Sequence, residues 1–417
     1  MVLFPRNSPF SRVTALAGLR PVHAAFSWLH GNPKRIMDWQ AEVVAIPAPP
    51  FGEQARSVWM AARFSDAGLE RVEIDEIGNV LGFLPAGNLD ADSSGPVVIL
   101  SAHLDTVFPA ETVLSPVVDG DRLEAPGACD NGAGLAGLMA IAHALVHAKV
   151  ELPASLLFVC NVGEEGEGDL RGVRHLYDQR ALSGRVAGHI VLDGAGADSA
   201  VTQALGSRRY RVVIQGPGGH SFTDAGTPNP IAAMAGALTV LAETQLPDEP
   251  RTTLNVGTVH GGTSVNSIPE KVQARIDCRS TSAEQLLRME VAVHRAVEDA
   301  VERTNLVARK GGAKGALTFT VEKIGDRPAG YLAADSPILE TLRAVDRHLG
   351  LRTDLRLGST DANIPLALGI PALSMGAGGS GGGAHTLAEW YSGKDREIGL
   401  KRVLLLTLAM TGWAAEQ

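Results

Sequence analysis

The chain lacks the marks of several protein classes. It has three cysteines, Cys129, Cys160 and Cys278, scattered and odd in number. That excludes a disulfide framework and a CxxC metal knuckle, and it reads as buried free thiols in a reducing compartment. Positive charge is not in excess: 37 Lys and Arg stand against 46 Asp and Glu, a net charge of −9. A nucleic-acid binder would show a basic footprint instead. No apolar run approaches the roughly 20 residues of a membrane span. The glycine-rich run Gly376–Ala384 lacks the Gly-Lys-Ser/Thr ending of a phosphate loop. His143 and His147, four apart on a helical stretch, lack the Glu that a zincin helix carries after its first His. Those two read as outward or core histidines. There is no internal repeat. The first 37 residues hold no Asp or Glu. However, Thr14–Leu19 is too short for an export-signal core, and Pro5, Pro21 and Pro33 interrupt any long helix. The expected location is the cytoplasm.

What is present is an ordinary globular composition, 45% hydrophobic and 20% charged over 417 residues, enough for two domains. Its centre is the stretch Ser101–Val107. The apolar run Val97–Leu100 reads as a buried strand that delivers His103 and, two residues on, Asp105. In extended backbone those two share a face. One carboxylate can then hold one imidazole by its second nitrogen and orient a metal-ligating histidine. Three more apolar runs end in the same way. Ser155–Cys160 leads into Gly163-Glu164-Glu165-Gly166, His189–Leu192 into Asp193-Gly194, and Pro371–Met375 into the glycine-rich run and His385. Acidic runs are usually solvated faces and glycine-rich runs usually linkers, but open α/β sheets bind ligands at strand carboxyl ends. Asp130 stands where a helix N-cap belongs, before the small-residue helix that ends near His147. It could be a cap and nothing more.

Strands alternate with helices in this half, which predicts a mixed, mostly parallel sheet with helices on both faces. The polar linker Asn88–Gly95 separates its early elements. From about Ser207 the texture changes to βαββαβ, a split-βαβ (ferredoxin-like) α+β sandwich inserted in the first domain. One of its helices carries the apolar stripe Leu286, Met289, Val293, Val297 and Ala300. The expected division is 1–206 and 317–417 for the first domain and 207–316 for the insert. A closing helical segment is expected over Trp390–Trp413.

Two histidines and four or five carboxylates at one sheet edge suit a divalent transition metal, zinc first. They are too many for one zinc with an open position. Two metals sharing a bridging carboxylate explain the excess. In the adjacent pair Glu164-Glu165, one can ligate while the other stays free as a base.

The motifs His103–Val107, Gly127–Gly132, Gly163–Gly166, Asp193-Gly194, Gly216–Ser221 and Gly383–Thr386 occur in that order. With them the chain resembles the co-catalytic di-zinc exopeptidase and amidohydrolase family of peptidase T, carnosinase-type dipeptidases, glutamate carboxypeptidases, aminoacylase and acetylornithine deacetylase. The likeness is greatest on the peptidase T side. It implies that His103, Asp130 and Asp193 hold one zinc and Asp130, Glu165 and His385 the other, with Co or Mn as substitutes. Asp105 would clamp His103, and Glu164 would be the general base. The peptide after Asp130 would be cis. The insert would be a dimerisation or lid domain of a homodimer. His220 would reach a neighbouring subunit's site, and Asn266 and Arg279 would bind substrate. Within the family, Asp rather than Glu at the position of Asp193 goes with aminopeptidases and dipeptidases. The expected activity is therefore hydrolysis of short peptides, aminopeptidase- or tripeptidase-like. An N-acyl amino acid amidohydrolase or carboxypeptidase is the alternative, and an inactive binding homologue a lesser one. Neither nucleic acid nor membrane is an expected partner.

Overall fold

The structure is a computed structural model, and it describes residues 8–87, 95–178, 182, 184–311 and 315–416. The linker expected over 88–95 lies outside these, apart from Gly95. The chain forms two compact units, Met1–Ala204 with Tyr331–Gln417, and Leu205–Gly330. Among the described residues no helix is long and apolar enough to cross a membrane.

The first unit is built on a nine-stranded mixed sheet. Seven neighbours run Glu70–Ile74, Val80–Leu84, Ser155–Asn161, Val97–His103, Val186–Leu192, Ala372–Met375 and Ser199–Ala204. The four central ones are mutually parallel, as expected. All seven residues of Val97–His103, and all seven of Ser155–Asn161, are buried. That follows from helices covering both faces, which leaves no solvent side to alternate with. Val98, Leu100, Leu156 and Phe158 point into the larger core, with the helix Gly132–His147. Val97, Ile99, Leu157 and Val159 point the other way, onto Leu176 of the helix Arg171–Asp178. Because the four central strands are parallel, their carboxyl ends fall on one edge, with side chains set by the same pleat.

The amino-terminal region is a run of short helices, with no long one among its described residues. Three helices stand there, Pro9–Ala17, Arg20–Gly31 and Pro33–Val44, each with proline in its first two positions. Pro21 and Pro33 do break the run, and each of the three prolines also starts a helix, since its missing N–H has no intrahelical partner there. His143 is half-buried among aromatic rings, which is the core alternative of the two expected. Its ring stacks against both Trp28 and Trp39, with centroids 5.7 and 4.6 Å away, and the two indoles stack on each other at 6.3 Å. At the other end the closing helix is Arg396–Ala414, and Trp390–Ser392 is a strand. That strand joins Ser380–Gly382, Arg122–Glu124 and Val117–Asp119 in a small antiparallel sheet. The glycine-rich run is thus one arm of a hairpin. At Gly381 a Cβ would meet Cys129 Sγ at 2.4 Å, so only glycine lets this arm lie on the loop before Asp130.

The second unit is a four-stranded antiparallel sheet, in the order Thr252–Gly261, Lys271–Ser280, Gly206–Gln215 and Thr318–Arg327. Helices Pro230–Ala242 and Ala283–Lys310 supply its other layer. Leu286, Met289, Val293, Val297 and Ala300 are all buried. This is the α+β sandwich read from the sequence. The unit runs on to Gly330 rather than ending at 316, because Thr318–Arg327 pairs with Gly206–Gln215 over its whole length.

One buried histidine makes the fold sensitive to acid. His189 lies in the strand Val186–Leu192, fully buried. Its ring nitrogens lie 2.7 Å from Ser101 Oγ and 2.9 Å from Tyr177 Oη. Burial pushes its pKa down to about 3. A base whose folded pKa is lowered contributes stability that is complete above its unfolded pKa of about 6.5 and lost as pH falls toward the folded value. Between pH 7 and 5 the wild type should therefore lose up to about 2 kcal/mol more than His189→Gln, at about 1.4 kcal/mol per pH unit below 6.5. Urea midpoints at the two pH values check this, and parallel losses would refute it.

Candidate metal centre

The strand ends bring one set of side chains together. His103 closes its strand, and Asp130 precedes the helix Gly132–His147. Glu164 and Glu165 follow Ser155–Asn161, Asp193 follows Val186–Leu192, and His385 sits in the hairpin loop between Ser380–Gly382 and Trp390–Ser392. His103 Nε2 lies 3.1 Å from Asp130 Oδ1 and 3.9 Å from Asp193 Oδ1. His385 Nε2 lies 3.1 Å from Asp130 Oδ2 and 3.1 Å from Glu165 Oε1. Asp130 thus turns one oxygen to each histidine. Two sets of donors result, His103–Asp130–Asp193 and Asp130–Glu165–His385, each with its ligand atoms within 4.8 Å of one another.

The donor set fits a pair of divalent cations. It is made of imidazole nitrogen and carboxylate oxygen, the donors such ions take. Asp130 Oδ1 is buried, with His103 Nε2 3.1 Å away but no aligned hydrogen bond among the described residues, and a buried acceptor left so is uncommon without a further partner. Charge is also packed tightly. Burial alone would lower the pKa of His103, but the carboxylates of Asp105, Asp130 and Asp193 raise it well above its ordinary value. The contact with Asp130 lifts His385 to about 9. Burial, with Asp130 beside it, lifts Glu165 to about 7. Protons here compensate carboxylates crowded at one point, and a cation binding the same donors would release them.

The supporting groups are as specific as the donors. The expected clamp of His103 by the Asp105 carboxylate is only partly realised. His103 Nδ1 hydrogen-bonds the main-chain oxygen of Asp105 at 3.1 Å, and the nearer carboxylate oxygen stands 3.6 Å off. Instead Asp105, fully buried, accepts from the backbone N–H of Glu164 at 2.9 Å and of Glu165 at 2.7 Å. It fixes both glutamates as well as facing the histidine. Arg171 braces the same loop from below. Its Nη2 holds both oxygens of Glu53, at 2.7 and 2.8 Å. It also packs so close to Gly163, whose φ is +66°, that a Cβ there would come within 2.6 Å of it.

Three groups were not singled out in the sequence. Glu389, 1% exposed, accepts from the backbone N–H of Gly127, Cys129 and Asp130 at 2.7, 2.8 and 2.7 Å. It holds the loop that presents Asp130. The only signal was an acidic residue four places beyond His385. The N-cap of the following helix is Asn131, not Asp130. Asn131 Oδ1 accepts from Gly134 and Gly194 N–H, and its Nδ2 donates to the Leu192 oxygen, tying the Asp130 loop to the Asp193 turn. This frees the Asp130 carboxylate, and the Asp130–Asn131 peptide is cis. Third is Asp361, 1% exposed, which accepts from Asn161 Nδ2 at 2.7 Å. Burial raises its pKa to about 6. Asn161 is the strand partner of His103. Asp361 follows the strand Asp354–Gly358, so it repeats the pattern of carboxylates past strand ends.

Within the second unit, His220 and Asn266 are brought together. The short strands Gly219–His220 and Ser267–Ile268 pair, and Ser221 N–H donates to the Asn266 oxygen at 3.0 Å. The exposed His220 ring accepts from the N–H of Phe222 at 3.2 Å. Arg279 stands on the strand Lys271–Ser280, with Nε donating to Asp277 at 2.7 Å.

A mixed α/β sheet with paired donor sets sharing one carboxylate at its strand ends defines a metal-dependent hydrolase. Residues 99–409 match the sequence model of peptidase family M20/M25/M40, and the chain belongs to that family. It is 25% identical over 359 residues, 83% of this chain and 91% of the relative, to the uncharacterized protein YqjE of Bacillus subtilis strain 168. It is 28% identical over 226 residues to a probable carboxypeptidase of Paracoccidioides brasiliensis strain Pb18, spanning 48% of this chain and 49% of that protein. In fold it is similar to aminopeptidase PepT from Bacillus cereus ATCC 10987, with a TM-score of 0.71 and 21% identity over 91% of this chain and 99% of the other. It is likewise similar to a tripeptidase from Staphylococcus aureus Mu50, with a TM-score of 0.71 and 23% identity over 93% and 99%.

Proposed function

We propose that this hydrolase is an exopeptidase of short peptides with a free amino end, working with two divalent cations, zinc by preference. The observation that carries the reading is the Asp130 carboxylate, one oxygen toward His103 and the other toward His385. His103, Asp130 and Asp193 would hold one cation, and Asp130, Glu165 and His385 the other. Bound there, the pair would supply Lewis acidity to the amide carbonyl and a lowered pKa to the attacking water.

The chain's own groups do the rest. Glu164, 6% exposed and anchored by its N–H to Asp105, takes the proton of the water as its oxygen attacks the carbonyl carbon. It returns that proton to the amine nitrogen as the C–N bond breaks. Asp105 keeps Glu164 and Glu165 in fixed relation, so that one ligates while the other moves a proton. Glu389 and Asn131 hold the Asp130 loop. His220, from a second copy of the chain, and Asn266 and Arg279 would contact the substrate; a strictly monomeric mass in sedimentation would remove His220 from that role. A cytoplasmic location goes with this reading.

Asp193 favours aminopeptidase action, its shorter stem setting the first cation and the space beside it. A second reading, a carboxypeptidase or N-acyl amino acid amidohydrolase, draws on the probable carboxypeptidase among the relatives. Hydrolysis of free-amine tripeptides and of their N-acetyl forms by metal-loaded protein separates the two. The first reading expects free-amine peptides to be preferred at least about tenfold in kcat/KM, since a site built for a polar group rejects analogues lacking it strongly. Preference for the acetylated forms would overturn it in favour of the second.

A further inference from the structure

Resting on the peptidase reading, we infer that a groove beside Glu389 is the subsite for a large apolar side chain of the substrate residue flanking the scissile bond. The groove has a volume of about 710 Å³, room for a Leu or Phe side chain. Two of its walls are segments that carry ligands, and Thr112, Val113 and Ser115 form a third. On one side the chain runs from Arg122–Glu124 through Pro126 toward Asp130. On the other it runs from His385 through Leu387 to Glu389. The first two walls are clipped together by Ala125 N–H donating to the Glu389 oxygen at 3.1 Å and by Glu389 accepting from Gly127, Cys129 and Asp130. Both of these walls lie close to donors along the chain: Pro126 stands four residues before Asp130 and Leu387 two after His385. On this inference, a peptide with its scissile carbonyl at the donors lays a neighbouring side chain over the groove.

The lining selects the class of side chain. Val113 and Leu387 line the groove and stand 82% and 72% exposed, so both keep apolar surface in water. Covering them removes apolar surface from water, a gain available to an aliphatic or aromatic side chain and not to a charged one. Three charged groups line the wall, Arg122, Glu124 and Glu389, and each already has a partner within the chain. Arg122 Nε donates to Glu124 Oε1 at 2.8 Å, and the Arg122 guanidinium lies 4.2 Å from the centre of the Trp390 ring. Each charge is already matched, so an Asp, Glu, Lys or Arg side chain entering here would lose water without gaining a partner. The Glu389 carboxylate is spent on three N–H groups.

The test uses the full chain loaded with zinc and two tripeptide series, Xaa-Gly-Gly and Gly-Xaa-Gly, with Xaa as Gly, Leu, Phe, Glu or Lys. The wild type should favour Leu and Phe over Gly at one position by about 10- to 200-fold in kcat/KM, the range a hydrophobic pocket commands. Leu387→Asp and Val113→Asp, on different walls, should each lower that Phe/Gly ratio at least about tenfold, while zinc content stays at the wild-type value and reports an intact fold. A Phe/Gly ratio unchanged in both variants would overturn the subsite and leave the peptidase reading standing. So would a wild type that prefers Glu or Lys. A wild type that binds zinc and cleaves no tripeptide would overturn the peptidase reading, and the subsite with it.

Discussion

Glutamine in place of Glu164 is expected to lower kcat on tripeptides by about 100- to 10,000-fold, the usual contribution of a positioned general base, without loss of bound metal. The two halves of that result have different causes. The amide cannot take a proton from water, so the chemical step loses its base. Yet glutamine keeps the length and shape of the side chain, and the backbone N–H of residue 164 still reaches Asp105. Glu165, held by the other oxygen of Asp105, therefore stays where it faces His385. Metal content measured by plasma emission, alongside kcat, reads both halves. A kcat within about tenfold of wild type would remove Glu164 from the proton transfer.

Ligand substitutions should show the opposite pattern, with metal lost first. His385→Ala deletes a donor from one set and leaves His103, Asp130 and Asp193 intact, so bound metal should fall from two per chain toward one. Asp130→Ala removes a donor from both sets and should take the content below one. The accompanying fall in kcat/KM should exceed the 10- to 100-fold typical of losing a group that merely supports a ligand. Equilibrium dialysis against zinc at fixed pH checks both. If the two variants lose metal equally, Asp130 is not shared.

Much of the donor set was legible because it obeys a simple rule of the fold. A strand buried on both faces must be apolar throughout, so a polar side chain at its end marks the place where the sheet meets solvent. His103, Glu164, Glu165 and Asp193 all stand at such ends. His385 was harder, since its segment looks like a linker. What makes it a hairpin is the fit of Gly381 on Cys129, a contact between distant parts of the chain that no local pattern records. Glu389 escaped for a similar reason. Its role is to accept three N–H groups from a loop about 260 positions earlier, and one carboxylate in sequence looks like any other. The cap was assigned to Asp130 rather than Asn131 because both are good capping residues, and only the geometry says which side chain turns back to the helix. The prolines of the first three helices carry the same ambiguity, because proline both breaks and begins helices. The second unit's limit at Gly330 depends on strand pairing, which sequence texture does not show.

Anomalous diffraction at the zinc edge, from crystals of the full chain grown with zinc, tests most directly the claim that one carboxylate serves two cations. Two peaks per chain about 3.5–4 Å apart, with the Asp130 carboxylate between them, is the expected result. A single peak, or two peaks with Asp130 touching neither, would contradict it.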